Sequence, residues 1–470
     1  METSAPPDVD GAAALRRLSR RVLPFLFALA LLAYLDRANI AFGARDLLAD
    51  TGLGDAQYGL GGSAFFVGYA TMQLPSLCGA RRFGAPRWLA FILFCWGVTS
   101  MSFAALRGAG GAAEFTFYAL RLLLGCFEAG CFPTIWYYLS LAYAADELTE
   151  AYPRVTIATA VSGALGGLIA AAILSLDGAG GVRGWQWLFL LEGGLTAVAA
   201  LATPLLLPRD PADASWLRGD ERRWLARRRE ERTAAKTSLH AAGDGPAATR
   251  RPTLAAVRNW RTWWAAATWA LQCVAYYGIL FWLPLLVGQI LPDASTPAVA
   301  LVSAIPFTAA AAAMLLNARH SRRASERRWH CAAPLLVCAV ALALTPLAAR
   351  LSAPLALVLL TLATSGAWAT YGPFFSWPAT WAAPDEAAAA VATINSVGQA
   401  GGLVGPALVG VLSDVEGGVE AAEHVHAMLA LAAAAGAAAL LSLTFAPQHG
   451  RPPCAGRSER GALPPAAEAL

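Results

Sequence analysis

Four ionisable residues interrupt the most apolar parts of this chain. Asp36 and Arg37 are adjacent in the stretch ALALLAYLDRANIAFG, and Arg121 and Glu128 stand in the stretch RLLLGCFEAG. A charged group in a hydrocarbon environment costs roughly 2.5–3.5 kcal/mol on insertion scales, so each of these residues must face protein or water and find a partner. Charges retained at this cost indicate a functional site.

The types of these residues indicate the chemistry. An arginine offers a planar, permanently charged fork that matches a carboxylate. A carboxylate that loses its arginine partner takes up a proton more readily. Protonation of Asp36 or Glu128 would therefore release an arginine to bind an anion, which couples protons to anion movement. Arg121 and Glu128 stand about 10 Å apart along one helix, so we expect each to pair with another helix, and the Asp36–Arg37 pair is the natural candidate.

Structural roles are the alternative for each of these residues. Arg37 can mark the end of a membrane span and reach the headgroups, with Asp36 as its counter-ion. Arg121 and Glu128 can belong to ion pairs that only lock helices together. The residue types alone leave both interpretations open.

The elements that carry these residues are predicted to be membrane-spanning helices. The chain has 470 residues, of which 57% are hydrophobic and 14% charged, whereas a soluble protein carries about 25% charged residues. A bilayer core requires roughly 20 apolar residues as helix. We predict an all-α integral membrane protein with twelve spans, near 22–43, 58–76, 88–106, 115–143, 155–176, 185–207, 263–290, 297–317, 331–349, 352–378, 388–412 and 425–446.

The distribution of basic residues predicts the orientation of these spans. With a cytosolic N-terminus, the cytosolic segments hold 29 Lys and Arg residues and the outer loops hold four. This excess follows the positive-inside rule, so both termini are predicted to be cytosolic. The predicted regions are an N-terminal tail (1–21), a first six-helix half (22–207), a basic central loop (208–262), a second six-helix half (263–446) and a C-terminal tail (447–470).

The two halves share short sequence similarities. RRFGAPRW (81–88) follows the second span, and RRASERRW (322–329) follows the second span of the other half. ATAVSGALGGL (158–168) in the fifth span corresponds to ATINSVGQAGGL (392–403) in the eleventh. Since both pairs occupy equivalent positions, they predict a duplicated six-helix unit, an architecture found in transporters.

The chain also resembles the major facilitator superfamily and, within it, the anion:cation symporter branch of sugar-acid, phthalate, nicotinate and allantoate permeases, to which sialin is related. The resemblance extends from about residue 22 to 447. The motifs that carry it are YLDRANIAF, YGLGGSAFFVGYATMQLP, RLLLGCFEAGCFP, GWQWLFLLEG, LPRDPADASWL, FWLP and ATINSVGQAGGLVGPALVG.

This resemblance implies roles for several side chains. Asp36 and Glu128 match family residues linked to proton coupling, and Arg37 and Arg121 match arginines linked to substrate binding. Two tyrosines match family residues that point into the central cavity, Tyr34 and Tyr69.

Two amides in the eleventh span are further candidates for binding. Asn395 and Gln399 stand one turn apart and can present amide groups to a carboxylate or a hydroxyl. Their alternative role is a hydrogen bond between helices.

Other classes of function have little support in the sequence. No CxxC pair and no GxxxxGK[ST] phosphate loop occurs, so we expect no cofactor, no metal and no direct use of ATP. The buried carboxylates accompany arginines rather than a nucleophile or a metal cluster, so an enzyme is not expected. We expect no nucleic-acid partner and a monomer in the bilayer of a plasma or organelle membrane.

The expected function is secondary active transport. The predicted cargo is a small organic anion, most simply a carboxylate, moved together with protons by alternating access. An anion exchanger without proton coupling is one alternative, and a transporter-like nutrient sensor that binds its ligand without moving it is another.

Overall fold

Helices form the described structure. The computed structural model describes residues 11–108, 110–241, 254–382, 384–415 and 424–445. Within these ranges the chain folds into α-helices joined by turns and short 3-10 segments, and no β-strand is present. Eleven helical segments there are long and apolar enough to cross a membrane. The all-α expectation is confirmed, since a helix satisfies the backbone hydrogen bonds of an apolar segment internally.

Eight helices cover the chain up to the central loop. The first predicted span is the middle of α1, which continues past the apolar segment at both ends. The helices are α1 (Gly11–Thr51), α2 (Asp55–Phe83), α3 (Ala85–Ser102), α4 (Gly111–Glu128), α5 (Cys131–Ala142), α6 (Ala145–Thr156), α7 (Ala158–Leu174) and α8 (Gly184–Leu206).

The fourth predicted span, 115–143, is divided into two helices. α4 ends at Glu128 and α5 begins at Cys131. A side chain at Gly130, between them, would lie only 1.8 Å from Ser76 Oγ, so the backbone touches α2 at this point. The division places Glu128 at the end of a helix rather than in the middle of a long one.

The central loop and the chain after it supply eight more helices. The tenth predicted span is also divided, because α13 stops at Ala369 and a short helix follows it. These helices are α9 (Gly219–Ala241), α10 (Trp260–Ile290), α11 (Thr296–Ala324), α12 (Arg328–Leu351), α13 (Ala353–Ala369), α14 (Tyr371–Phe375), α15 (Pro384–Val415) and α16 (Val425–Thr444).

α2 is the helix whose membrane crossing is not established by composition. Its 29 residues are enough to span a bilayer, but its glycines and polar residues such as Asp55 keep it out of the eleven candidate spans. Its glycines are contact points instead. A side chain at Gly59 would lie 2.4 Å from Pro406 O, and one at Gly68 would lie 2.3 Å from Leu122 O. α2 therefore packs closely against both α4 and α15.

The helices pack in two similar sets. In the first set, α3 packs on α8, α2 on α4, and α1 on α7 and α8. In the second set, α12 packs on α16, α11 on α13, and α10 on α15 and α16. The two sets meet where α2 contacts α15, α7 contacts α11 and α1 contacts α10. The same pairing recurs after the central loop, which is the arrangement that a duplicated unit would produce.

Hydrogen bonds join the two sets toward one end of the bundle, called here the Thr51 end because α1 finishes there. Arg45 Nη1 donates to Ala294 O at 2.9 Å. Thr296 Oγ1 donates to Asp46 Oδ1, also at 2.9 Å. Both bonds connect the end of α1 with the start of α11, so the two sets are held together at the Thr51 end.

Candidate functional site

Arg37 on α1 and Glu128 at the end of α4 form a buried ion pair. Arg37 Nη2 donates to Glu128 Oε1. Arg37 is 6% exposed and Glu128 is fully buried. Arg37 Nε and Glu128 Oε2 have no hydrogen-bond partner among the described residues. The pair crosses between two helices, as the spacing of the charges predicted, and the two atoms without partners are shielded from solvent in this conformation.

Asp36 turns away from this pair. Successive residues of a helix point about 100° apart, and Asp36 faces α3. Trp96 Nε1 donates to Asp36 Oδ2 at 2.7 Å, and Ser100 Oγ donates to Asp36 Oδ1 at 2.7 Å. The expected pairing between this segment and α4 is found for Arg37, which contacts Glu128, whereas Asp36 bonds to α3 rather than to Arg121.

Arg121 is buried without a carboxylate partner. Its Nε donates to Gly61 O at 3.2 Å, and its Nη2 has no hydrogen-bond partner among the described residues. The guanidinium carbon lies 5.0 Å from the ring centre of Phe65 and 5.4 Å from that of Phe281. The ring contacts and the bond to Gly61 O hold Arg121 in place, and its interactions with Asp36 and Glu128 act only at longer range.

A further buried carboxylate lies on α8. Glu192 accepts a hydrogen bond from Asn39 Nδ2 at 2.5 Å, and both residues are buried. Asn39 is three residues after Asp36 on α1. The sequence contained the signal for this contact, since Asn39 belongs to YLDRANIAF and Glu192 to GWQWLFLLEG, but only the packing of α1 on α8 brings the two motifs together.

A cavity of about 190 Å³ lies between the two sets of helices, beside the ion pair. Arg37 lines it and is the one charged residue to do so among the described residues. Tyr34, Tyr69, Asn395 and Gln399 also line it, so the structure brings these predicted residues around a common space. Their part in binding remains a prediction. The structure does not place Asp36, Arg121 or Glu128 in the lining.

One side of the cavity is aromatic, and sequence reasoning missed most of it. The segment YGPFFSWPATW holds none of the predicted site residues, yet its Tyr371 lines the cavity. Tyr276 stands 242 positions after Tyr34, close to the 241-residue offset between the repeated motifs, so the repeat was a usable signal. The side chains of this aromatic wall come from α10, α11, α13 and α14: Trp269, Tyr276, Tyr277, Phe307, Trp368 and Tyr371.

Comparisons with known proteins agree with this architecture. The sequence pattern of the Major Facilitator Superfamily matches residues 26–406. A relative from Agrobacterium vitis, provisionally named a tartrate transporter, is 34% identical over 86% of this chain and 89% of its own length. The quinolone resistance transporter of Acinetobacter baumannii is 30% identical over 87% of this chain and 90% of its own length.

A solved structure has the same fold. It is a bacterial homologue of the human lysosomal transporter Spinster in an inward-facing, unoccupied conformation. It matches with a TM-score of 0.75 at 19% identity, over 91% of this chain and 96% of that one. Because the family pattern covers most of the sequence, the relatives match over nearly their full length and the fold agrees, the chain belongs to the Major Facilitator Superfamily and is a multi-pass integral membrane transport protein.

Proposed function

We propose that this protein is a secondary active transporter that moves a small organic anion together with protons by alternating access. The observation that carries the proposal is the half-satisfied ion pair of Arg37 and Glu128 beside a cavity. The name of the Agrobacterium vitis relative favours a carboxylate as the anion. The name of the Acinetobacter baumannii relative points to different cargo, so the substrate must be argued from the site.

The site supports a simple exchange of partners. A proton that binds a carboxylate oxygen of Glu128 removes the negative charge that holds Arg37. The guanidinium fork is then free to bind a carboxylate that enters the cavity, with two parallel N–H···O bonds. The proton and the anion add no net charge to the site, so neither is buried uncompensated. The resemblance also assigns Asp36 a share of the proton coupling. Asp36 is next to Arg37 on α1 but faces α3, so in this proposal it acts on the ion pair through its charge rather than by contact.

Arg121 completes the proposed electrostatics. Its positive charge is buried on the same helix as Glu128, about 10 Å away along the axis. No carboxylate of the described residues lies within 4.0 Å of it. It offsets the negative charge of Asp36 and Glu128 at longer range and favours the presence of an anion in the protein interior.

The proposed architecture has twelve membrane helices, with α2 as the twelfth. We assign the first half to 22–207 and the second to 263–446, with the tails 1–21 and 447–470 and the basic loop 208–262 in the cytosol. The excess of basic residues supports this orientation. The Thr51 end then faces outward. Since the two halves are bonded there, we infer that this conformation is closed to the outside and exposes its cavity toward the cytosol.

Proton coupling is tested in reconstituted vesicles that contain a lumenal pH dye. A panel of organic acids is added outside, and vesicles of the same lipids without protein are the control for acids that cross unaided. Lumenal acidification above the control, accompanied by uptake of the labelled acid, is the expected result. Uptake of label without a pH change would establish the exchanger instead. Binding without uptake would establish the sensor.

A further inference from the structure

We propose that the transported anion carries a single carboxylate and an aromatic ring, in preference to an aliphatic dicarboxylate. This inference rests on the proposed function and narrows its substrate class. The observations behind it are the charge, the lining and the size of the one central cavity described above.

The charge of the lining allows one carboxylate. Arg37 is the one cationic side chain in the lining among the described residues, and its fork matches one carboxylate. A dianion would leave its second carboxylate against tyrosine and tryptophan rings with no cation to neutralise it, which is costly in a buried site. The single proton that Glu128 can accept also balances one negative charge.

Arg121 does not supply the second cation in this structure. The rings of Phe65 and Phe281 lie against its guanidinium, and it is 1% exposed. It is absent from the cavity lining. A second carboxylate would have to displace these rings before it reached Arg121.

The aromatic wall provides the surface for a ring. Tyr276 and Trp368 stack on each other with their ring centres 3.9 Å apart, and both line the cavity. Phe307 packs against Trp368 with centres 5.9 Å apart. Rigid rings such as these present faces and edges to a flat ligand, and aromatic contacts prefer offset or edge-to-face geometry.

Polar side chains in the lining suit the polar edge of a substituted ring. Asn395 and Gln399 line the cavity and carry amide groups. A ring nitrogen or hydroxyl opposite the carboxylate would have donors and acceptors within the lining.

The cavity volume agrees with a compact ligand. About 190 Å³ is smaller than the roughly 300–1,000 Å³ of pockets that hold drug-sized molecules. A single substituted ring is a compact ligand of this kind.

Four probe compounds separate the contributions of the aromatic ring and of the carboxylate charge to binding. Benzoate carries a ring and one charge, and cyclohexanecarboxylate keeps the charge and the size without aromaticity. Benzamide keeps the ring without the charge, and tartrate carries two carboxylates on an aliphatic chain. Their binding to the full-length protein in nanodiscs is measured by calorimetry, which is independent of unaided membrane crossing. We expect benzoate to bind at least tenfold more tightly than tartrate or benzamide, and several-fold more tightly than cyclohexanecarboxylate.

Two variants test whether the ring of benzoate contacts the aromatic wall. Trp368→Leu is expected to reduce benzoate affinity at least fivefold and to abolish the preference over cyclohexanecarboxylate. The control is Trp329→Leu, since Trp329 is exposed and lies outside the lining. If Trp368→Leu does not fold, Tyr276→Leu repeats the test, and the wild-type ranking of the probes stands by itself.

The outcomes distinguish this inference from the proposed function. Tartrate binding as tightly as benzoate, or more tightly, would overturn the aromatic monocarboxylate while leaving organic-anion transport in place. If none of the acids binds and none is taken up in the vesicle assay, the inference and the proposed function both fail.

Discussion

At the scale of single residues, the ion pair of Arg37 and Glu128 is suited to an exchange of partners because only one hydrogen bond joins the two side chains. A bidentate arginine–carboxylate pair satisfies both oxygens and is difficult to separate in a dry interior. Here one N–H meets one oxygen, and a nitrogen of Arg37 and an oxygen of Glu128 remain without partners among the described residues. A proton on one side and an anion on the other can each complete the bonding that the pair leaves open.

Glu128→Gln is expected to remove proton coupling. The amide keeps the size of the side chain but neither attracts Arg37 by charge nor takes up a proton in this range. Acid-driven accumulation of the substrate should fall at least tenfold, while exchange of internal for external substrate continues. The measurement is labelled uptake in vesicles with and without a pH gradient.

The matched control is Glu114→Gln on the same helix. Glu114 accepts a hydrogen bond from Tyr118 at 2.9 Å and is remote from the pair. It should behave like the wild type. Acid-driven accumulation that survives Glu128→Gln unchanged would mean that another group carries the proton.

Arg37→Lys is expected to weaken anion binding although the charge is kept. An ammonium is a point charge and cannot form two parallel bonds to one carboxylate. Loss of one charge-assisted hydrogen bond costs about 1.5–3 kcal/mol, so the dissociation constant should rise roughly tenfold or more. Calorimetry with the transported acid measures it, with the exposed Arg107→Lys as the control. Unaltered affinity would move the anion site away from Arg37.

The sequence predicted which charges are buried but not how they are distributed. The cost of an intramembrane charge singled out Asp36, Arg37, Arg121 and Glu128 from their surroundings alone. Whether two neighbours on α1 face the same helix depends on the rotation of α1 against α3 and α4. No local pattern encodes that rotation, which is why Asp36 turned out to bond with Trp96 and Ser100.

At the scale of elements, glycines set the distance between the helices that carry the site. A side chain at Gly125 on α4 would lie 2.0 Å from Phe65 O on α2, so the two backbones are nearly in contact. Gly401 and Gly405 on α15 approach α10 in the same way, at 2.2 Å from Ala270 O and 2.4 Å from Val274 O. These approaches fix the spacing of α4 from α2 and of α15 from α10.

Gly125→Ala is expected to destabilise the protein. The added methyl group clashes with backbone, which cannot move aside as a flexible side chain would. Overpacking of this kind costs about 1–3 kcal/mol, and the melting temperature in detergent should fall. Gly111→Ala is the control on the same helix, because nothing lies within 4 Å of a side chain there. Equal melting temperatures for the two variants would contradict the close approach of α2 and α4.

Helix existence was predictable from apolar runs, but helix continuity was not. The spans 115–143 and 352–378 both break, and hydropathy has no signal for a break because the residues on either side remain apolar. The second break, at Thr370, lies three residues before Pro373. The first occurs where Gly130 touches α2, a contact that only the tertiary structure defines.

At the scale of the whole molecule, the two sets of helices are bonded to each other at the Thr51 end. Arg45 bonds to Ala294, just before α11, and Thr296 at the start of α11 bonds to Asp46. The proposed alternating access would require these bonds to break when the opposite side closes. In that proposal they contribute to the energy difference between the two conformations.

Arg45→Ala is expected to shift the population toward the conformation that is open at the Thr51 end. Loss of a hydrogen bond worth about 1 kcal/mol corresponds to a roughly fivefold change in the ratio of the two states. Distances between spin labels at the Thr51 ends of α1 and α11 report the change.

Arg183→Ala is the matched control for this shift. Arg183 also lies at the Thr51 end, but it bonds to Asp50 at 2.8 Å, within the first set of helices. It should leave the distances as they are. A shift of the same size in both variants would assign the effect to general loosening rather than to the connection between the halves.

The polarity of α2 bears on how the chain enters the membrane during synthesis. A segment that is inserted alone partitions according to its own hydrophobicity, and Asp55–Phe83 is weaker in this respect than the eleven candidate spans. Gly61 and Gly68 are covered by α4, which is made later, whereas Gly59 and Gly62 are covered by α15. A nascent chain truncated after α2 is therefore expected to leave this segment partly uninserted, and one extended through α4 to insert it fully, as a glycosylation reporter placed after the segment would show. Equal insertion of both chains would contradict this dependence. The glycines that allow tight packing in the finished protein thus delay the biogenesis of its first half until four helices are present.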